Sequence, residues 1–141
     1  MNNVRSFDNK NQTTITYGNH RPVEAEIIAV LNAIFTERRM RLIDSHSRAV
    51  KKYDINELMI TDQTTSPSEE LNRMNAIAFF EVKDGGLIVS GDDVFLNGEL
   101  FGVLAGFDMN HMPNHMNVII KKDSIHIENL RVGDLLIFKK N

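Results

Sequence analysis

From residue 76 onward the chain is a succession of short apolar runs separated by turn residues, and no other feature narrows its fold as far. The runs are 77–82, 87–89, 94–96, 100–107, 118–120, 125–127 and 135–138, with breaks at Asp84-Gly85-Gly86, at Asn97-Gly98 and near Pro113. Runs of this length are strands, and an Asn-Gly pair between two of them is the signal of a two-residue hairpin turn. Seven short strands close most economically as a barrel or a small sandwich. The expected class is therefore mainly β (α+β), a small closed β-barrel of six or seven strands carrying one N-terminal helix or long hairpin.

The N-terminal half reads less uniformly. Residues 1–18 are polar, with only 13–17 able to join a sheet edge, and are expected to form a loose arm. In residues 22–40, Val23, Ile27, Val30, Leu31, Ile34 and Phe35 form one apolar stripe of a helix with Pro22 in its first turn, while Val23, Ala25, Ile27, Ala29 and Leu31 also alternate as in a strand. The helix is the preferred reading. A short strand at 41–43, a polar link through Ser45, His46 and Ser47, an apolar piece at 55–60 and a loop at 62–70 follow. With 141 residues the chain is long enough for one domain with a real core, spanning 1–141.

Residues 82–95 and 121–138 line up as a faint internal repeat of strand, turn, strand, Gly-Asp, strand, with Gly91-Asp92 and Gly133-Asp134 in matching places. Glycine permits a backbone of unusual φ, and the aspartate carboxylate accepts the N–H groups that fix the turn. The pattern resembles the Gly-Asp box of the cradle-loop β-barrels, which include the double-psi and translation-factor-type barrels. The resemblance implies a pseudo-two-fold barrel in which the two glycines occupy equivalent turns. Because such barrels serve decarboxylases, DNA-binding regulators and non-enzymatic modules alike, it leaves function open.

The polar block 106–117 holds two of the five histidines and three of the seven methionines, and it is the expected site. His111 and His115 have the four-residue spacing that on a helix would stack both imidazoles on one face, although Pro113 lies between them and Met112 stands where a zinc hydrolase motif has glutamate. With Asp108 they could hold a divalent, zinc-like ion, its shell completed by His126, His20 or His46. Alternatively Asp108, His111 and His115 form an acid/base set, with Arg21, Arg41, Arg48 and Asn114 binding the substrate's carboxylate or phosphate. The plainer reading is a long turn whose Asn110, Asn114 and Asn117 satisfy backbone groups. His20 before Pro22 reads as part of a helix N-cap region, and Asp92, Asp93 and Asp123 read as turn acids.

Composition narrows the partners. Cysteine is absent, which excludes disulfides and thiolate chemistry. No Gly-x-Ser-x-Gly or Gly-rich phosphate loop is present, so no nucleotide cofactor is expected. No apolar run approaches the span of a bilayer and no signal-peptide core is seen, so a cytoplasmic protein without a membrane partner is expected. The stretch 36–52 carries +4 and 53–101 carries −8, and a pI near 5.9 argues against nucleic acid. Charge blocks of opposite sign suit a homo-oligomer, most simply a two-fold dimer. Two functions result: small-molecule binding or non-redox acid/base catalysis of the isomerase, lyase or cyclase type, or a non-catalytic oligomeric or regulatory barrel that binds a protein partner. Whether the chain is an enzyme is left open.

Overall fold

The computed structural model describes residues 17–64 and 70–141. Most of the expected N-terminal arm, including residues 13–16 of the edge-joining stretch, and most of the 62–70 loop therefore lie outside the described residues. The strands are β1 (Val23–Phe35), β2 (Met40–Arg41), β3 (Ser47–Val50), β4 (Ile55–Thr61), β5 (Glu70–Leu71), β6 (Met74–Asp84), β7 (Gly86–Val89), β8 (Asp93–Leu96), β9 (Glu99–Asp108), β10 (Asn117–Lys121) and β11 (Leu135–Lys139). Seven of them close into a barrel in the order β1-β11-β8-β9-β10-β4-β6, flanked by two ribbons, β2-β5 and β3-β7. The expected small, mainly β closed barrel is present.

A closed ring with an odd number of strands cannot alternate direction all the way round, so at least one neighbouring pair must be parallel. That pair is β4-β10, in register from Glu57 opposite Asn117 to Thr61 opposite Lys121. The other six barrel pairings are antiparallel. Alternation then sorts side chains to two faces. Ala25, Ile27, Leu58, Ile60, Phe80, Val118, Ile120, Leu136 and Phe138 fill the interior. Met59, Met74, Ala76 and Ile119 point outward, and Met40, Leu42 and Leu71 of the β2-β5 region cover them in a second cluster. Close approach there depends on Gly106, where a Cβ would stand 2.8 Å from Leu42 Cδ1.

The expected helix over 22–40 is corrected: β1 runs as a strand from Val23 to Phe35, and the described residues contain no α-helix. Both periods fit this apolar-rich segment, but Val23, Ala25 and Ile27 are 1%, 0% and 0% exposed while Glu24 points outward, so the period of two decides. The expected strand at 125–127 is also absent; Ile125 is buried, and its carbonyl accepts a 2.7 Å hydrogen bond from Asn75 Nδ2 at one end of the barrel. The Asn97-Gly98 turn joins β8 to β9 with φ of 49° and 86°, both positive as a type I′ hairpin requires.

Gly91 and Gly133 do occupy equivalent turns, each with φ of 97°. In the turns 89–92 and 131–134, Val89 and Arg131 N–H donate to the Asp92 and Asp134 carboxylates at 2.9 and 2.8 Å. Gly91 and Gly133 N–H donate to Leu104 and Ile27 carbonyls, and Leu104 and Ile27 N–H return bonds to the Asp92 and Asp134 carbonyls. A third turn, 51–54, repeats the whole pattern. Lys51 N–H donates to the Asp54 carboxylate at 2.8 Å, and Tyr53 and Asp54 exchange bonds with Val82. Tyr53 stands there at φ 80° in place of glycine.

Candidate functional site

Between β9 and β10 the chain makes one compact turn. The His111 carbonyl accepts N–H bonds from Asn114 at 2.8 Å and His115 at 3.2 Å, and the Met109 carbonyl accepts one from Met112 at 3.1 Å. Pro113, which has no N–H, falls where none is needed; its peptide bond with Met112 is cis. The four-residue spacing therefore does act as on a helix. The two imidazoles stack with centroids 5.0 Å apart and planes 16° from parallel.

Beneath the turn lies a row of side chains contributed by four strands. Phe79 of β6, Glu57 of β4, Asn117 of β10 and Asp108 of β9 are successive cross-strand partners, and such partners project to one face of a sheet. That face is the outside of the barrel, since the adjacent Leu58, Val118 and Phe107 belong to the interior. His115 Nε2 lies 3.0 Å from Glu57 Oε1, its Nδ1 lies 2.6 Å from Asn114 Oδ1, and the Phe79 ring meets it edge-on at 5.2 Å. The His115 and Glu57 side chains are only 13% and 15% exposed. With both ring nitrogens engaged, neither is turned toward a substrate.

His111 is exposed, and Arg38 Nη2 approaches its Nε2 at 3.4 Å while the guanidinium lies over the Phe35 ring at 5.2 Å. Asp108 is buried and accepts a 2.9 Å bond from Asn117 Nδ2, leaving Asn117 Oδ1 buried without a partner. The structure thus joins the two histidines and Asn114. It gives Asp108 to Asn117, and it places Glu57 in the carboxylate role that the sequence suggested for Asp108. Glu57 is 58 residues from His115, so no local spacing could reveal it.

Two of the expected arginines have other partners. Arg21 Nε donates to the Gly85 carbonyl at 2.9 Å, and Arg41 pairs with Glu70 at 3.7 Å across the β2-β5 ribbon. Arg48 lies on β3, its Nε buried without a hydrogen-bond partner. His20 is not part of a helix cap, because no helix follows it. Its Nε2 lies 3.1 Å from both carboxylate oxygens of Asp92, which also fixes the 89–92 turn. Among the described residues no group of three or more His, Cys, Asp or Glu side chains could hold a metal ion. No helix among them is long and apolar enough to cross a membrane.

Fold and site together define a small closed β-barrel with a histidine-bearing turn clamped to its outer wall. Over residues 17–139 the chain matches a family of unknown function (DUF6917), and it belongs to that family. No curated protein and no solved structure matches it.

Proposed function

We propose that this protein is a non-catalytic β-barrel module that binds another polypeptide by accepting a strand along the free edge of β1. One observation carries this reading. β6 pairs with β1 as far as Phe35, but β11, on the other side, pairs only with Val23 to Glu26. Beyond Ile27, which bonds the 131–134 turn, no backbone hydrogen bond joins that second side of β1 to any described residue. Residues 28–35 thus offer a row of donors and acceptors, with Ile28, Val30, Ile34 and Phe35 between 36% and 45% exposed. Edge strands are normally blunted by lysine, proline or a covering element, and residues 27–36 contain no charge and no proline. Such an edge is suited to strand addition, in which main-chain bonds supply affinity and alternate side chains supply selectivity.

Acid/base catalysis at His111, His115 and Asp108 is the weaker reading. His115 is held at both nitrogens, and Asp108 is committed to Asn117. Those contacts suit a clamp that fixes the turn. A zinc-like ion there lacks a third ligand among the described residues. Kinship with the cradle-loop barrels is part of the proposal, supported by the repeated Gly-Asp turns, as is a cytoplasmic place, supported by the absence of cysteine.

The test uses a labelled peptide copying residues 27–38, added to dilute full-length protein. It is expected to bind and to slow amide exchange at residues 28–35. Val30→Lys, at an exposed position, should weaken binding about tenfold or more without lowering the melting temperature. Binding that adds no protection to β1 would refute the reading.

A further inference from the structure

We infer that Asn97 is a site of spontaneous deamidation, and that the aspartate it yields opposes Asp134 and loosens the hold of the 131–134 turn on β1. Asn97-Gly98 is the one Asn-Gly pair in the sequence. Both residues are exposed, and a Cβ built on Gly98 would meet no atom within 4 Å. The glycine matters chemically, because the amide nitrogen that follows the asparagine is the nucleophile and here no side chain shields it. Gly98 N bonds to Asn97 Cγ, the bond from Cγ to Nδ2 breaks, and the displaced nitrogen takes up the amide proton and leaves as ammonia. Water then opens the cyclic succinimide at either carbonyl, giving aspartate or isoaspartate. The net change is amide and water to carboxylate and ammonium, with no oxidant or cofactor. This chemistry needs no partner and holds whether or not the edge accepts a strand.

The folded turn restrains the first step and decides what the product does. Asn97 N–H donates to the Leu135 carbonyl and Asn97 Oδ1 accepts from the Leu135 N–H, both at 2.9 Å. These bonds turn the carboxamide across the sheet toward β11, so attack by Gly98 requires the hairpin tip to lift from β11. Openings of exposed tips are among the cheapest in a fold. The amino half of the same carboxamide faces Asp134 and holds its carboxyl below the usual range. Deamidation exchanges that donor for a second carboxylate, with the exposed Arg131 as the cation beside the pair. Asp134 also holds its own turn by accepting the Arg131 N–H at 2.8 Å. From that turn, the Asp134 carbonyl and the Gly133 N–H engage both backbone groups of Ile27, the last bonds on this side of β1 before the open stretch 28–35. Repulsion at residue 97 therefore loosens the latch on Ile27 and lengthens the unpaired edge. The two equivalent turns lack this exposure, since the Asp54 carboxylate pairs with Lys51 Nζ and that of Asp92 with His20.

Peptide mass mapping of the full chain, incubated in mildly alkaline buffer with and without urea, tests the site. Conversion of amide to acid at Asn97 is expected in both samples, about tenfold or more slower in the folded one, which is followed for about a hundred half-times of the unfolded one. No conversion of the folded chain by then overturns the inference, as does conversion as fast as in urea. Asn97→Asp supplies the product directly and should speed amide exchange at Ile27 and Gly133 about tenfold at neutral pH. Asn97→Asp combined with Asp134→Asn exchanges the places of acid and amide, and should return both rates toward those of the parent. Parental exchange at both amides in the single variant overturns the unlatching, and so does a double variant that exchanges as fast as the single one.

Discussion

Replacing Gly133 by alanine isolates one energetic quantity, because a Cβ built there meets no atom within 4 Å. Packing contributes nothing, and only the backbone at φ 97° resists the side chain. Left-handed backbone costs an L-residue about 1–2 kcal/mol, and the stiffer unfolded chain of the alanine variant returns about 0.4–1 kcal/mol. The net expectation is a loss of about 1 kcal/mol, or a fall in melting temperature of about 3–5 °C for a domain of this size. Gly91→Ala should cost the same, since its φ and its empty surroundings are the same. Tyr53→Gly is the counterpart. It relieves strain in the equivalent turn but loses the exposed Lys52 contact at 5.3 Å and loosens the unfolded chain, so it should fall within about 0.5 kcal/mol of the parent. Urea denaturation with an unchanged slope is the assay. Unaltered midpoints for both alanine variants would show that the turns do not impose the positive φ on which their equivalence rests.

Three further outcomes are expected. Glu57→Gln should cost about 1 kcal/mol and speed amide exchange across 109–116, because it removes the charge that holds His115 to β4; unchanged exchange in the turn would count against the clamp. Gly106→Ala should cost about 1–2 kcal/mol by displacing Leu42, and less in a Leu42→Ala background, so additive losses in the double variant would show that the two do not touch. The Asp134 carboxyl is held below the usual range, first by the Asn97 side chain and then by the Arg131 N–H. The native state therefore binds fewer protons than the unfolded chain, and this stabilisation is complete above about pH 4 and lost as pH falls through the lowered value. Asp134→Asn should flatten that acid limb of the stability profile, and an unchanged limb would exclude the contribution.

The parts of the fold legible in the sequence were those fixed by neighbours. Asn97-Gly98 and the two Gly-Asp pairs each carry their turn geometry in two adjacent residues. The third equivalent turn was not legible because Tyr53 occupies its positive φ, held there by bonds to Val82 that no local pattern announces. β1 reads as a helix from sequence because Val23, Ile27 and Leu31 fit both periods, while Val30, Ile34 and Phe35 add to the helical stripe. What separates them is burial on the barrel wall, a property of β6 and β11 as much as of β1. Of the site, His111 and His115 were found by spacing. Glu57 and Phe79 reach it only because β4 and β6 adjoin β10, and the register of distant strands is not written at either end alone.

The pairing of β1 with β11, Val23 opposite Phe138, also bears on the order of folding. This seam joins strands more than a hundred residues apart, and the parallel β4-β10 pair spans about half that distance. Hairpins such as β8-β9 can form as soon as their residues are free, but the ring cannot shut until β11 has left the ribosome. Before then, β1 is bare on the side that β11 will occupy as well as along the overhang at 28–35. The overhang at 28–35 is thus a hazard during synthesis, when unpaired edges invite aggregation. Slow, concentration-sensitive refolding, with the β8-β9 amides protected well before those of residues 23–26, is the kinetic signature such a closure would leave.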